Sequence, residues 1–374
     1  MVNLLNLFFI LFPLGKIIKI GFINPIDLVV LLISLNYLLK KPKIPSVVLN
    51  LFIFFSFPLL FSLSFFEPSK IIIGALYLAR FFAYLLFSLQ VYVLIKKNKI
   101  SKDDLVKRLL IVGLVIAILG WLQYFLIPDT RFLKNFGWDD HYYRLLSTYL
   151  DPAYTGIILV LTFILSTGSY IKTKLKKYLF LSVFLLVSIG FTYSRASFIT
   201  LFIALVYLLY KYRQKVILFL ILILLVMIPL LPRPYGEGVK LERTYSVNQK
   251  FINYQDSLKL ISQSPIFGVG FDNLCIAKEK FLKEVNLSSH TCSGLDNSFL
   301  FLLASTGTVG LIGFLSFVSW IIKNREQGLY GNILVTSLIT VSIHALFTNT
   351  IFYNFVLGWL ALIMAIGLKL KENN

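Results

Sequence analysis

Long apolar stretches alternate along this chain with short polar connectors. A helix of about 20 predominantly apolar residues crosses a bilayer, and twelve candidates can be marked out. They lie near residues 3–20, 26–39, 45–63, 72–95, 108–127, 153–171, 177–192, 196–210, 216–231, 298–321, 330–348 and 352–368. Lys16 and Lys19 interrupt the end of the first. It has the apolar run of a signal peptide without a small-residue cleavage site, so it is read as a helix. The pattern predicts an all-α polytopic membrane protein: one integral membrane domain over residues 1–374, with about twelve transmembrane helices.

The connectors carry a second pattern. Basic segments follow alternate helices: KKPK at 40–43, KKNKISKDDLVKR at 96–108, KTKLKK at 172–177, KYRQK at 211–215, KNR at 323–325, and Lys369 with Lys371. Positive residues stay on the cytoplasmic side. All six fall there if there are twelve spans and both termini are cytoplasmic. Two loops on the opposite side exceed a turn, 128–152 and 232–297, the larger between helices nine and ten.

The larger loop opens with LLPRPYGEG, a Pro/Gly turn segment. Two amphipathic stretches follow, with Phe251, Tyr254, Leu258 and Ile261 on one helical face and Leu274, Ala277, Phe281 and Val285 on the other's. Between them SPIFGVGFDN breaks the helix at Pro265 and turns at Gly268 and Gly270. Such helices are expected to lie on the outer membrane-facing surface and roof whatever is beneath. Cys275 and Cys292 share this loop on the oxidising side of the membrane, which suggests a disulfide; two free thiols are the alternative.

Composition agrees. The chain is 58% apolar and 14% charged, against roughly 45–50% and about 25% in soluble domains. A net charge of +19 would suggest nucleic acid in a soluble protein, but a nucleic-acid patch would not alternate with the helices.

Four polar clusters face the outer side in this topology. Arg80 stands about ten residues into the fourth span, some ~15 Å deep; a charge at that depth is a functional-site hypothesis, and pairing with an acid on a neighbouring helix is the alternative. RLLSTYLDPAYTG holds Arg144 and Asp151, the latter also an ordinary helix start before Pro152. TYSRASF places Arg195 in a tight turn, where an arginine can also snorkel to headgroups. The fourth is the large loop, with Arg233, Arg243 and Lys250, ending at Asp296 and Asn297. A charge costs ~2.5–3.5 kcal/mol at the centre of an inserted helix and much less at its end. The Asp-Asn pair therefore reads either as a cap or as chemistry at the membrane surface, and the two are compatible.

His141, His290 and His344 are far apart in sequence and form no metal-binding spacing; Asp139 and Asp140 in WDDHYY could bind a cation, but two acids in a loop are usually solvated. No P-loop, dinucleotide fingerprint or nucleophile elbow is present. What remains is an outward cavity with several arginines and a few carboxylates. Arginine forks match phosphate oxygens and stay charged when desolvated. A departing lipid diphosphate needs that stabilisation, and a carboxylate could accept the proton of an attacking hydroxyl.

At this point the chain resembles the O-antigen ligase/O-antigen polymerase superfamily of bacterial envelope glycan enzymes, over most of residues 140–315. TYSRAS is similar to the family's S-R-[AG] turn, which matches Arg195, and PIFGVG at 265–270 to the P-[LI]-F-G-[VI]-G segment of its large loop. DNSFLFLLASTGTVGL is similar to the start of helix ten, where ligases show His, ten residues and Gly; here the spacing runs from Asp296 to Gly307. RLLSTYLDP is like an Arg…Pro segment of polymerase-like members, many of which also show the Asp-Asn start. The family's loop arginine corresponds to Lys250, or Arg243 takes its role.

The resemblance implies transfer of an undecaprenyl-diphosphate-linked oligosaccharide to an acceptor glycan at the periplasmic face of the bacterial inner membrane. It implies a metal-independent, inverting reaction without a cofactor. Polymerisation is favoured over ligation to lipid A core and over transfer to protein, and a chain-length regulator is a possible partner. The expected site comprises Asp296 and Arg195 as catalytic groups, with Arg80, Arg144, Arg195, Arg243 and Lys250 on the diphosphate and Asp151 and Asn297 supporting. The rival from another class is a transporter or flippase of lipid-linked sugars. Transporters often show repeated halves; this chain shows no repeat.

Overall fold

The computed structural model describes residues 1–18, 23–234, 236–282, 292 and 294–370. Fourteen helices are described: α1 Val2–Leu11, α2 Pro25–Leu39, α3 Ser46–Phe61, α4 Ile72–Lys96, α5 Lys102–Leu126, α6 Pro152–Thr173, α7 Lys176–Gly190, α8 Arg195–Tyr212, α9 Lys215–Leu230, α10 Tyr245–Gln263, α11 Leu274–Leu282, α12 Ser298–Lys323, α13 Leu329–His344 and α14 Asn354–Gly367. Six of them, α3, α4, α5, α6, α8 and α12, are long and apolar enough to cross a membrane, and five shorter ones, α1, α2, α9, α13 and α14, are also apolar. The protein is thus an all-helical, multi-pass membrane protein.

Each of the twelve apolar runs falls on one helix, with α10 and α11 in the large loop. Two boundaries differ from expectation. The first helix gives way to a 3-10 turn at Phe12–Leu14 and a bend at Gly15, and Lys19 lies outside the described residues. The connector at 96–108 is half helix, because Ser101 caps α5 by accepting from the Asp104 amide.

At the centre stands α6, buried along nearly its whole length and packed against α5, α7, α8 and α13. Helix association in lipid relies on close packing and interhelical hydrogen bonds rather than on burial from water. Ser166 Oγ accordingly donates to the Tyr178 carbonyl at 2.7 Å, and Thr167 meets Ser182 at 3.2 Å. A cluster of fully buried aromatic residues, including Phe8, Phe12, Phe355 and Trp359, joins α1 to α14.

Five of the six basic connectors touch one another on one face of the bundle. Lys172 bonds Asp103, Lys102 pairs with Glu326, Lys174 donates to Gln214, and the Lys369 amide donates to Asn324. Lys371 lies outside the described residues. The starts of α6, α8 and α12 lie at the other face.

The large loop enters the bundle from that face. Within α12, Gly307 takes φ 63°, ψ −168°, which breaks the helical ladder. The loop repairs the break: the Thr308 and Val309 amides donate to the carbonyls of Pro265 and Ile266 at 2.9 and 3.2 Å, and the Val269 amide donates to Ala304 at 2.9 Å. Irregular backbone inside a membrane protein must be satisfied by protein in this way. A Cβ at residue 307 would sit 2.1 Å from the Ile266 oxygen, so both the space and the positive φ demand glycine. The PIFGVG segment is therefore a plug in α12.

In α10 the polar side packs inward. Phe251 and Leu258 are exposed, whereas Ser257 and Leu260 are buried. Asn253 Oδ1 accepts the Asp296 amide at 2.8 Å. In α11, Leu274 and Ala277 are buried; Val285 lies outside the described residues. The structure joins Cys275 to Cys292, tying α11 to the approach to α12.

Candidate active site

Three arginines gather at the face opposite the basic connectors. The cap of α8 is Ser194, which accepts from the Ser197 amide, and this leaves Arg195 as the first helical residue. The Arg195 guanidinium donates to the carbonyls of Leu241 and Arg243 at 3.1 and 3.0 Å. Arg243 donates to Gly238 and Lys240, each at 2.8 Å, and to Tyr193 at 3.3 Å. Buried Arg144 (7% exposed) donates to Thr192 at 3.0 Å and to Tyr193 at 3.3 Å. The turn at 192–195 and the segment 238–243 are thus laced together by three guanidinium groups.

The bonds to Arg144 and Arg243 are to neutral carbonyls, and Arg144 also meets the His141 ring at 3.5 Å. Burial, and then the neighbouring Arg243 charge, push the Arg144 guanidinium down from its ordinary value; burial and Arg195 do the same to Arg243. Asp151 and Asp139 work in the other direction on Arg144. Crowded, desolvated cations of this kind are relieved by a bound anion. Beside them runs an apolar groove of about 610 Å³, lined by Phe191, Phe219, Ile223, Met227, Leu230 and Pro232 among others. The two are joined through Tyr193, whose hydroxyl donates to Pro232 while its carbonyl accepts from Arg144 and Arg243.

Asp151 caps α6, its Oδ1 accepting from the amides of Ala153 and Tyr154 at 2.7 and 2.9 Å. At the start of α12 the expected shared cap is a single one. Asn297 Oδ1 accepts from Phe299 and Leu300 at 2.8 and 3.1 Å, and Asp296 takes no part. An Asp-Asn pair offers two caps for one helix end, and only the residue directly before the first turn reaches its amides. Asp296 instead lies 3.4 Å from Lys250, which also donates to the Phe347 carbonyl. Arg243 and Lys250, alternatives for one loop cation in the sequence, hold different places: one in the arginine cluster, the other on Asp296.

Arg80 stands apart from the other arginines. Its guanidinium is 4.0 Å from Asp27 of α2 and stacks on Tyr77 at 4.3 Å, so the acid on a neighbouring helix exists. It lines a cavity with Asp272 and Asn349. Sequence reasoning missed both of these. Asp272 follows Gly270 and Phe271 in the plug segment, where the motif's glycines drew attention and the acid behind them did not. Burial pushes its carboxyl up to about 7, against the opposing charge of Arg80.

The fold also gathers Asp139, His141 and Asp151, whose potential ligand atoms lie within 4.8 Å of one another. No sequence spacing announced this, since helix α6 begins only after the loop has folded back. Burial, then Arg144 and Arg243, hold His141 well below its usual range, hence neutral. Those same cations oppose a metal ion here, and one oxygen of Asp151 already serves as the cap. The electrostatics fit counter-charges to Arg144. His290 lies outside the described residues.

Residues 180–315 match the protein family described as O-antigen ligase. The resemblance to the O-antigen ligase/polymerase superfamily is thereby borne out over α7 to the middle of α12, a shorter stretch than the 140–315 expected. It takes in Arg195, Arg243, Lys250, Asp272, Asp296 and the plug, while Arg80, Arg144 and Asp151 fall outside it. No curated protein matches the chain. The family supports glycan transfer of the ligase or polymerase type, with a lipid-linked glycan and an acceptor as substrates.

Proposed function

We propose that this protein is a glycosyltransferase of the bacterial inner membrane that uses an undecaprenyl-diphosphate-linked oligosaccharide as donor, acting as an O-antigen polymerase. The observation that carries the reading is the three-arginine cluster beside an apolar groove. A lipid diphosphate presents that combination of an anionic head and an apolar tail. Twelve crossings put both termini and the basic connectors in the cytoplasm and the cluster at the periplasmic face.

In the proposed reaction an acceptor hydroxyl oxygen attacks the anomeric carbon as the bond from that carbon to the diphosphate breaks. The diphosphate leaves with the electron pair, and Arg144, Arg195 and Arg243 take up its charge. The hydroxyl proton passes to Asp296, which is free of capping duty. A single displacement inverts the anomeric centre, and none of these residue roles calls for a metal. Lys250 orients Asp296, and Asn297 and Asp151 fix the helix ends.

The acceptor distinguishes polymerase from ligase. Purified protein in liposomes, given a synthetic lipid-linked repeat alone, should produce a ladder of longer glycans. Product only when a lipid A core acceptor is added would make it a ligase, and product only with a polypeptide acceptor would make it a protein glycosyltransferase. Translocation of the donor without any transfer would make it a transporter and end the reading. A chain-length regulator, if it is a partner, should narrow the ladder.

A further inference from the structure

The cavity around Arg80 differs in chemistry from the arginine cluster. Its volume is about 170 Å³, roughly that of six waters at ~30 Å³ each, which is room for one sugar ring and not for a chain of them. One wall is aromatic: Phe271, Phe301 and Phe352 pack with centroids 5.0 to 5.9 Å apart. The other is polar, with Arg80, Asp272 and Asn349. Two atoms there lack any partner, since Arg80 Nε and Asn349 Oδ1 are buried without a hydrogen bond. Buried polar groups are nearly always paired, so a donor and an acceptor are held ready for something that enters.

A diphosphate is a poor occupant, because the aromatic wall offers it nothing and Asp272, when ionised, would repel it. A pyranose suits both walls: its C–H face lies on aromatic rings, and its hydroxyls both donate and accept. The place fits an acceptor. Gly294, two residues before Asp296, lines the cavity, and Asn349 follows Phe347, whose carbonyl holds Lys250. On the far side the Tyr154 hydroxyl donates to the Asn349 carbonyl at 3.4 Å, and Tyr154 leads through its cap Asp151 toward Arg144. Asp296 thus lies two residues from the cavity wall, and Tyr154 connects the opposite wall to the α6 cap beside Arg144.

We propose that the cavity seats one sugar ring of the acceptor glycan, with Asp272, Arg80 and Asn349 reading its hydroxyls; this rests on the glycan-transfer reading. The turn that carries Asp272 is built to reach the cavity. Asn273 Nδ2 donates to Ser62 Oγ at 3.1 Å, and α4 lets the turn in at Gly74, where a Cβ would lie 2.3 Å from the Phe271 oxygen. Asp272 and Asn349 are specificity residues in this account, distinct from Asp296, which takes the proton.

Saturation-transfer NMR on the full chain in nanodiscs tests this with methyl glycosides of glucose, galactose, mannose, rhamnose and N-acetylglucosamine. At least one should bind, and Asp272→Asn and Asn349→Ala should each weaken it about tenfold or more, while Arg144→Ala leaves it unchanged. The second variant keeps the test decisive if the first fails to fold. In a transfer assay with a water-soluble repeat-unit glycoside supplied as a separate acceptor, both should raise the acceptor KM and leave the donor KM alone. Binding that is unchanged in both variants, or no binding by any glycoside, overturns the subsite. Absence of transfer by the wild-type chain, with glycoside binding still dependent on Asp272, would instead remove the glycan-transfer reading.

Discussion

Asn297 Oδ1 takes the amides of Phe299 and Leu300, which leaves the neighbouring Asp296 carboxylate to Lys250 at 3.4 Å. The two residues therefore predict different mutant behaviour. Asn297→Ala should cost about 0.5–2 kcal/mol of stability, the usual loss of a cap. Asp296→Asn should fold normally and lower turnover about 10²–10⁴-fold; wild-type turnover would place the proton elsewhere. Asp296→His, which restores the ligase-like residue, should keep some transfer. Arg195→Ala should cost about 10²–10³ in rate, and Arg195→Lys should rescue it poorly because the fork is lost. Asp272 carries a pH signature. Its folded-state carboxyl titrates near 7 rather than 3.8, so between those values the folded chain holds a proton that the unfolded chain has lost. Stability should then fall as pH rises through this window. Asp272→Asn should flatten that slope and gain relative stability at pH 8; unfolding curves at pH 5 and 8 that shift equally in both proteins would contradict it. Arg80 was legible because a charge in an apolar run is conspicuous. Asp272 was not, because an acid in a polar loop looks solvated until a neighbouring helix closes over it.

The elements show what a spacing can and cannot convey. The interval from Asp296 to Gly307 was visible, but its physical reason was not: Gly307 lies where α12 opens to receive the plug at 265–269. Gly307→Ala meets a backbone cost of about 1–3 kcal/mol for the positive φ, and the contact with the Ile266 oxygen adds to it. Its membrane abundance and thermal stability should drop well below wild type, whereas a surface change such as Lys259→Ala should not. The apolar periodicity of α10 marked its two sides but not which of them meets the bundle. Asn253 and Ser257 show a polar side doing so, leaving Phe251 and Leu258 outward. The disulfide between Cys275 and Cys292 closes a loop of the size for which about 3 kcal/mol is typical. Mass spectrometry of non-reduced peptides from native membranes should find the two linked.

At the scale of the whole molecule, hydropathy carried the helix order, since lipid leaves a chain few alternatives to helices. It did not carry which polar ends meet. Asp139, His141 and Asp151 come from one loop and a helix cap, and Arg80 sits with Asp272 almost two hundred residues away. The contacts among the basic connectors put five of the six on one face of the bundle. A cysteine at Lys174 should react only from the cytoplasm and one at Lys240 only from the periplasm; reaction of both from one side would break the twelve-crossing topology. The central claim is that bond formation to an acceptor sugar releases a lipid diphosphate held by the arginine cluster. The direct measurement follows free undecaprenyl diphosphate and new glycosidic bonds together in proteoliposomes supplied with a lipid-linked repeat. The wild-type chain should release one diphosphate for each linkage formed, and Arg144→Ala should slow both to the same degree. Linkages formed without diphosphate release, or a wild-type rate in Arg144→Ala, would contradict the account.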